Sequence, residues 1–227
     1  MSRNVTKIAL YLMIVVAMLS MAACGGTKTT DTNTAEQPAA SGAPQVGIVL
    51  PTKDEPRWIQ DEARFQDLLK TANVPVEILF SQGDSAKEKA NVESLLTKGV
   101  KVIILTPQDG AAAAAAADAA RKAGVKVISY DRLILGTDAV DYYVTFDSVA
   151  VGKAQGQYLI DKATGTGNPL FLYAGAASDN NAFLFFEGAW NVLQPKIADG
   201  TFVIKNSSEA VALQDKPTLT RDEMGKI

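Results

Sequence analysis

The sequence predicts an α/β fold built on parallel sheets, and three observations carry that expectation. From Gln45 onward, short apolar runs alternate with amphipathic stretches long enough to be helices. Turn-forming residues fall between them, and strands separated by such helices imply right-handed βαβ crossovers and hence parallel pairing. The composition, 47% hydrophobic and 21% charged over 227 residues, supplies an ordinary globular core. That length suits one large domain or two small lobes.

The elements follow in order. "QVGIVL" is a strand ended by Pro51, and residues 57 to 72 form a helix with Trp58, Phe65, Leu68 and Leu69 as its apolar stripe. "VPVEILF" is the second strand. "SAKEKANVESLLTKG" is a helix with Ser as N-cap and Gly just past its end. "VKVIIL" and "VKVISY" are strands on either side of "DGAAAAAAADAARKAG". The seven alanines at 111 to 117 are read as a helix face small enough to lie close on a sheet, not as a linker. "DYYVTF" is a further strand and "VAVGKAQGQYLIDKA" a helix. A strand in "GTGNPLFLYAG", a long helix in "NNAFLFFEGAWNVLQPKIADG" and the strand "TFVIK" come next. In that long helix Ala182, Phe185, Phe186, Ala189 and Val192 are the expected core stripe. The chain closes with "TRDEMGKI", read as the middle of a helix. The glycines of "TGTGN" precede a strand, where a dinucleotide-binding loop would have to follow one.

The start of the chain has a different character. Arg3 and Lys7 precede an unbroken apolar run at residues 8 to 19, too short to span a bilayer and suited to a signal peptide. "Met21-Ala22-Ala23-Cys24" resembles a bacterial lipobox, which implies cleavage after residue 23 and lipidation of Cys24; an ordinary signal peptide or anchor helix is the alternative. Residues 24 to 44, rich in Gly, Thr, Ala and Pro, form a flexible tether. The folded part is then expected outside the cytoplasm, anchored by lipid at the membrane.

Composition excludes several functions. There is no histidine and only one cysteine, so a Ser-His-Asp triad, a Cys-His pair, a histidine-ligated zinc site and an internal disulfide are all ruled out. A carboxylate-only cation site would remain, but "DTNTAEQ" lacks the glycine and glutamate spacing of a calcium loop. No metal and no cofactor are expected. A net charge of −3 gives no sign of a surface for nucleic acid, and no such partner is expected.

Ligands of open parallel sheets bind beyond the carboxyl ends of the strands. Three such ends carry polar clusters: Arg57 and Trp58 in "PTKDEPRW", Asp131 and Arg132 in "YDRLI", and Asp179, Asn180 and Asn181 in "GAASDNNA". Together they match a monosaccharide. Carboxylates accept from hydroxyls, guanidinium forks donate, Asn does both, and an indole covers the C–H face of the ring. Taken singly, each has a plainer role: Asp131–Arg132 as a surface ion pair, Asp179 or Asn180 as a helix cap.

"PRW", "SYDRLI", "YYVTFDSVAVG" and "SDNNAFLFFEGAWNVLQPKI" resemble the corresponding stretches of type I periplasmic sugar-binding proteins, in their xylose-binding and multiple-sugar-binding branch. The resemblance covers about residues 45 to 206, in order. It implies a type I periplasmic-binding-protein fold of two parallel-sheet βαβ lobes, here residues 45–147 and 148–227, the second incomplete. It further implies that Arg57, Asp131, Arg132, Asp179 and Asn181 hydrogen-bond a sugar, with Trp58 and Asn180 beside it and Lys53 at the margin. The implied function is delivery of an aldose, xylose first, to the permease subunits of an ABC importer, without bond chemistry. A sugar sensor presenting the same fold to a membrane histidine kinase or chemoreceptor is the alternative. A repressor would need a helix-turn-helix where this chain has a signal and tether. A glycosidase built on Asp131 and Asp179 is disfavoured, because Arg132 beside Asp131 would hold it ionised.

Overall fold

The computed structural model describes residues 44–227. The signal segment, Cys24 and nearly all of the tether lie outside the described residues. Strands β1 (Val46–Leu50), β2 (Val76–Phe80), β3 (Val102–Leu105), β4 (Lys126–Tyr130) and β5 (Tyr142–Val144) form one sheet in the order β2-β1-β3-β4-β5. All pairs are parallel, with Ile48 opposite both Ile78 and Ile104, and Ile128 opposite Tyr142. β1 is an interior strand and is buried at every position, as a strand covered on both faces requires.

Helix α1 (Pro56–Thr71) starts on a proline whose fixed φ suits the first helical position. Its inward line is Trp58 and Asp61, both buried, with Phe65 and Leu69 half-buried, spaced by three or four residues, and the apolar members pack on Val46, Ile48, Leu50 and Phe80. Leu68, expected in that stripe, is 70% exposed, because it lies one helical step off the line. Helix α2 (Ser85–Thr97) is capped by Asp84, whose carboxylate accepts from Lys87 N at 2.8 Å. The expected cap, Ser85, is instead the first helical residue. Gly99, past the end of the helix, takes the left-handed φ of +81°. Helix α3 (Ala114–Lys122) begins after a turn in which Asp109 accepts from Ala111 N and Ala112 N. Ala113, Ala116, Ala117 and Ala120 are buried against Val49, Leu105 and Val127, the packing role expected of the alanine run.

A second, two-stranded parallel sheet pairs β6 (Asn168–Leu170) with β7 (Phe202–Ile204). Around it lie α4 (Ser148–Lys162), α5 (Asn180–Ala198), α6 (Ser208–Ala212) and α7 (Arg221–Met224). The buried line of α5 is Phe186, Trp190, Leu193 and Ile197, which meets Leu170, Phe202 and Ile204. Of the expected stripe only Phe186 is fully buried; Ala182, Phe185, Ala189 and Val192 are half-buried. Ala182 lies against Gly175, and Phe185, Ala189 and Val192 face the side where α5 meets α4. There glycine lets two backbones touch: a Cβ on Gly152 would lie 1.9 Å from the Phe185 carbonyl oxygen, and one on Gly188 2.1 Å from that of Val149. In the closing "TRDEMGKI", Arg221–Met224 form a short helix with its own capping box between Thr220 and Glu223.

Candidate functional site

The stretch "YDRLI" leaves β4 through a tight turn. Arg132 N donates to the Tyr130 carbonyl at 2.7 Å, and Ser129 Oγ donates to the Arg132 carbonyl at 2.6 Å while accepting from Ile134 N at 3.0 Å. Asp131, at its apex, has φ +62°, a left-handed conformation that Asp tolerates better than most residues. Its peptide is held there from three directions. The Asp131 carbonyl accepts from Asn181 Nδ2 at 2.9 Å, Thr145 Oγ1 at 2.9 Å and Tyr143 OH at 3.1 Å.

The Asp131 side chain is 6% exposed and accepts from Arg57 Nη2 at 2.9 Å. Arg57 also lies 3.5 Å through Nε from Asp61, a buried carboxylate that accepts from Tyr130 OH at 3.2 Å. Burial pushes the Asp131 carboxyl above its ordinary range, against the opposing pull of Arg57 and, less, of Arg132. Arg132 thus favours the Asp131 carboxylate, though less than Arg57 does. Arg132 pairs by charge across to the second sheet's side: its Nε stands 3.1 Å from Asp179 Oδ2 without being aligned for a hydrogen bond, and Nη1 donates to the Pro107 carbonyl at 3.4 Å. Asp179 also caps α5 by accepting from Asn181 N at 2.9 Å, so capping and pairing coincide.

Trp58 joins the two ion pairs. The Arg57 and Arg132 guanidiniums lie 4.8 Å and 5.5 Å from its ring, within cation–π range. The indole is 2% exposed, and its Nε1–H has no partner among the described residues. It is thus buried under its arginines in this structure and does not present an open face. A cavity of about 520 Å³ opens beside the Arg132–Asp179 pair, walled by Leu170, Leu172, Phe185 and Phe186.

A family model described as "Periplasmic binding protein domain" matches residues 46–227. The chain belongs to that family. This periplasmic binding protein is 36% identical over 188 residues to the multiple sugar-binding periplasmic protein SbpA of Azospirillum brasilense, covering 81% of this chain and 52% of that protein. It is 30% identical over 156 residues to the D-xylose-binding periplasmic protein of Escherichia coli, covering 69% and 46%. A solved carbohydrate transporter solute binding protein from Chloroflexus aurantiacus, in complex with D-glucose, is 79% identical. It superposes with a TM-score of 0.78 over 81% of this chain and 54% of its own. The chain spans about half the length of the curated relatives it matches. These relatives are binding proteins, not enzymes, and the alternation of strand and helix is that of the type I fold.

Within the binding protein, Arg57, Trp58, Asp131, Arg132 and Asp179 come together as one network. Asn181 joins it through the Asp131 carbonyl, and its Oδ1 accepts from Ser148 Oγ at 3.1 Å. Its amide is therefore engaged within the protein. Asn180 is bonded to Arg221 of α7. Lys53 stands apart, 3.4 Å from Glu62 and 4.4 Å from the Phe80 ring centroid. Sequence reasoning missed Asp61, Tyr143 and Thr145. Asp61 sits four residues beyond Arg57, a helical-neighbour spacing, and the "YVT" alternation places Tyr143 and Thr145 on one side of their strand. Among the described residues no group of His, Cys, Asp and Glu is placed to hold a metal ion, and no helix is long and apolar enough to cross a membrane.

Proposed function

We propose that this chain is the sugar-binding part of an extracytoplasmic ABC importer component, held at the membrane by lipid on Cys24. The division into 1–23, 24–44, 45–147 and 148–227 belongs to the same proposal. The observation that carries it is the pairing of two guanidinium–carboxylate couples, Arg57–Asp131 and Arg132–Asp179, around Trp58 at the strand ends. A sugar hydroxyl both donates and accepts, so it inserts between a carboxylate and a guanidinium and satisfies each. In this reading Arg57, Asp131, Arg132 and Asp179 exchange part of their mutual bonding for the sugar. Trp58 and the two asparagines hold their geometry.

The ligand class is an aldopyranose. D-Glucose stands ahead of D-xylose, because the Chloroflexus relative at 79% identity was solved with D-glucose. Delivery to permease subunits is part of the same reading, supported by the Chloroflexus relative, which is a carbohydrate transporter solute binding protein. The test is an NMR titration of the folded chain with D-glucose, D-xylose and sucrose. The monosaccharides should shift the Arg132 Nε and Trp58 Nε1 resonances saturably and sucrose should not. A Trp58 Nε1 response to D-glucose that persists unchanged in Arg132→Ala, or equal response to all three sugars, counts against the site.

A further inference from the structure

Glu88 lies on α2, outside the network described above, yet its carboxyl group is fully buried at 1% exposure. A buried carboxylate needs partners. One of them is the backbone: Glu88 Oε2 accepts from Gln108 N at 2.7 Å. The peptide so held is the one that follows Pro107, whose carbonyl receives Arg132 Nη1. The same loop reaches the α5 side, since Gly110 N donates to the Ser178 carbonyl at 3.1 Å, next to Asp179. Two charged groups face Glu88, Arg132 from the end of β4 and Asp109 from the loop after β3. Arg132 attracts its charge and Asp109 repels it.

We propose that Glu88 is a positioning residue for Arg132, fixing the 107–108 peptide from behind so that the guanidinium is held between Pro107, Trp58 and Asp179. This rests on the sugar-site reading only for its consequence, that the ionisation of Glu88 tunes affinity. Burial pushes the Glu88 carboxyl up to about 7, so the group titrates where the neighbouring arginine senses it. When Glu88 is ionised, Arg132 is drawn toward a fixed anion behind it and its fork is set. When it is protonated, the charge on that side vanishes and the hydrogen bond from Gln108 N weakens. The 107–108 peptide that receives Arg132 Nη1 is then held less firmly, and binding should weaken as pH falls through about 7.

The experiment is a pH titration of the full chain, labelled with ¹³C and ¹⁵N, from pH 5.5 to 8.5. The side-chain carboxyl carbon of Glu88 reports its own ionisation, and Arg132 Nε and Trp58 Nε1 report the coupling. All three should move with one midpoint near 7. In Glu88→Gln, which keeps an oxygen to accept from Gln108 N but cannot ionise, the Arg132 and Trp58 transitions should vanish. D-Glucose added at pH 6 and pH 8 should bind wild type roughly threefold more weakly at the lower pH, and Glu88→Gln equally at both. An Arg132 resonance that does not follow Glu88 in wild type overturns the proposal, and that measurement stands alone should the variant not fold. A transition unchanged in Glu88→Gln overturns it too. An intact Arg132 transition with no response to any sugar supports the positioning role and overturns the sugar-site reading instead.

Discussion

Asn181 donates its side-chain amide to the main-chain carbonyl of Asp131 at 2.9 Å, joining residues fifty positions apart in the chain. That bond holds a left-handed turn in place and ties the first residues of α5 to the carboxyl end of β4. The turn it fixes also aims the Asp131 carboxylate at Arg57, so the contact supports both the fold and the proposed site.

Replacing Asn181 by Ala should therefore destabilise the fold. Asn181 is 3% exposed, and its loss leaves the Ser148 hydroxyl without its acceptor while taking one of three donors from Asp131. Each buried polar group so orphaned costs about 1–3 kcal/mol. Thermal denaturation should show a Tm lower by several degrees. A Tm within a degree of wild type would mean that Tyr143 and Thr145 suffice to hold the turn.

The two ion pairs make separable predictions. Arg132→Ala should cost about 1.5–3 kcal/mol of sugar affinity with a smaller effect on stability, since Asp179 keeps its capping bond to Asn181 N. Arg57→Ala should affect both, because it strands the buried Asp131 carboxylate without its main counter-charge. Asp131 should then titrate higher still, which carboxyl ¹³C shifts would read directly. Equal stability of the two variants by urea denaturation would contradict this asymmetry.

Much of this arrangement was legible in the sequence, and the parts that were not share a cause. Strand and helix order followed from apolar period and turn residues, which are local signals. The clusters at the strand ends were visible because charge at the end of an apolar run stands out. Which charge pairs with which was hidden. Adjacency suggested Asp131 with Arg132, but the left-handed turn points neighbouring side chains apart, so Asp131 meets Arg57 and Arg132 meets Asp179. Small phase errors had the same origin. Leu68 and Leu69 are equally apolar, and only the position of the sheet decides which is buried. Asp84 displaced Ser85 as the cap because one residue of register separates two good cappers.

Glu88 gives stability a pH dependence of unusual sign. Its folded pKa is about 7 against an ordinary 4.5, so the folded state binds this proton more tightly than the unfolded chain does. The contribution is fully present below about 4.5 and is lost as pH rises to about 7. At 1.36 kcal/mol per unit, the difference between the two limits is roughly 3 kcal/mol, an upper bound for a single buried group. Glu88→Gln removes this titration. Its stability relative to wild type, from urea denaturation, should rise between pH 5 and pH 8. A difference independent of pH would place the Glu88 pKa back in the ordinary range.

Close approach of α4 and α5 predicts a sharp contrast between glycines. Gly152→Ala would drive a methyl carbon into the Phe185 carbonyl, so the helices must separate. Gly156→Ala would meet the Val192 Cγ2 atom at 2.5 Å, and that side chain is able to turn away. Overpacking of this kind costs about 1–3 kcal/mol, and backbone clashes lie at the upper end. Gly152→Ala should lower Tm more than Gly156→Ala. The reverse order would show that the helix pair is looser than its geometry.

The last prediction concerns residues 25–227 as an isolated polypeptide. In the first sheet β1 is paired on both sides, by β2 and β3, whereas β6 pairs only with β7 among the described residues. The run that continues β6 leaves Phe171 56% and Tyr173 86% exposed, and the cavity beside Arg132 has apolar walls. A free strand edge flanked by aromatic side chains favours association. If a sugar at this site were enclosed on one side only, several of its hydroxyls would be left to water. If two or three charge-assisted hydrogen bonds at about 1.5–3 kcal/mol each are missing, affinity falls by several orders of magnitude. Binding of D-glucose to this polypeptide should thus be millimolar by titration. The matched region makes up 54% of the Chloroflexus aurantiacus relative, so the remainder of that protein is a ready complement. Adding it in trans should tighten glucose binding at least a hundredfold and protect Tyr173 from solvent. Micromolar binding by the isolated polypeptide would show instead that the residues around Trp58 enclose the sugar without a further strand.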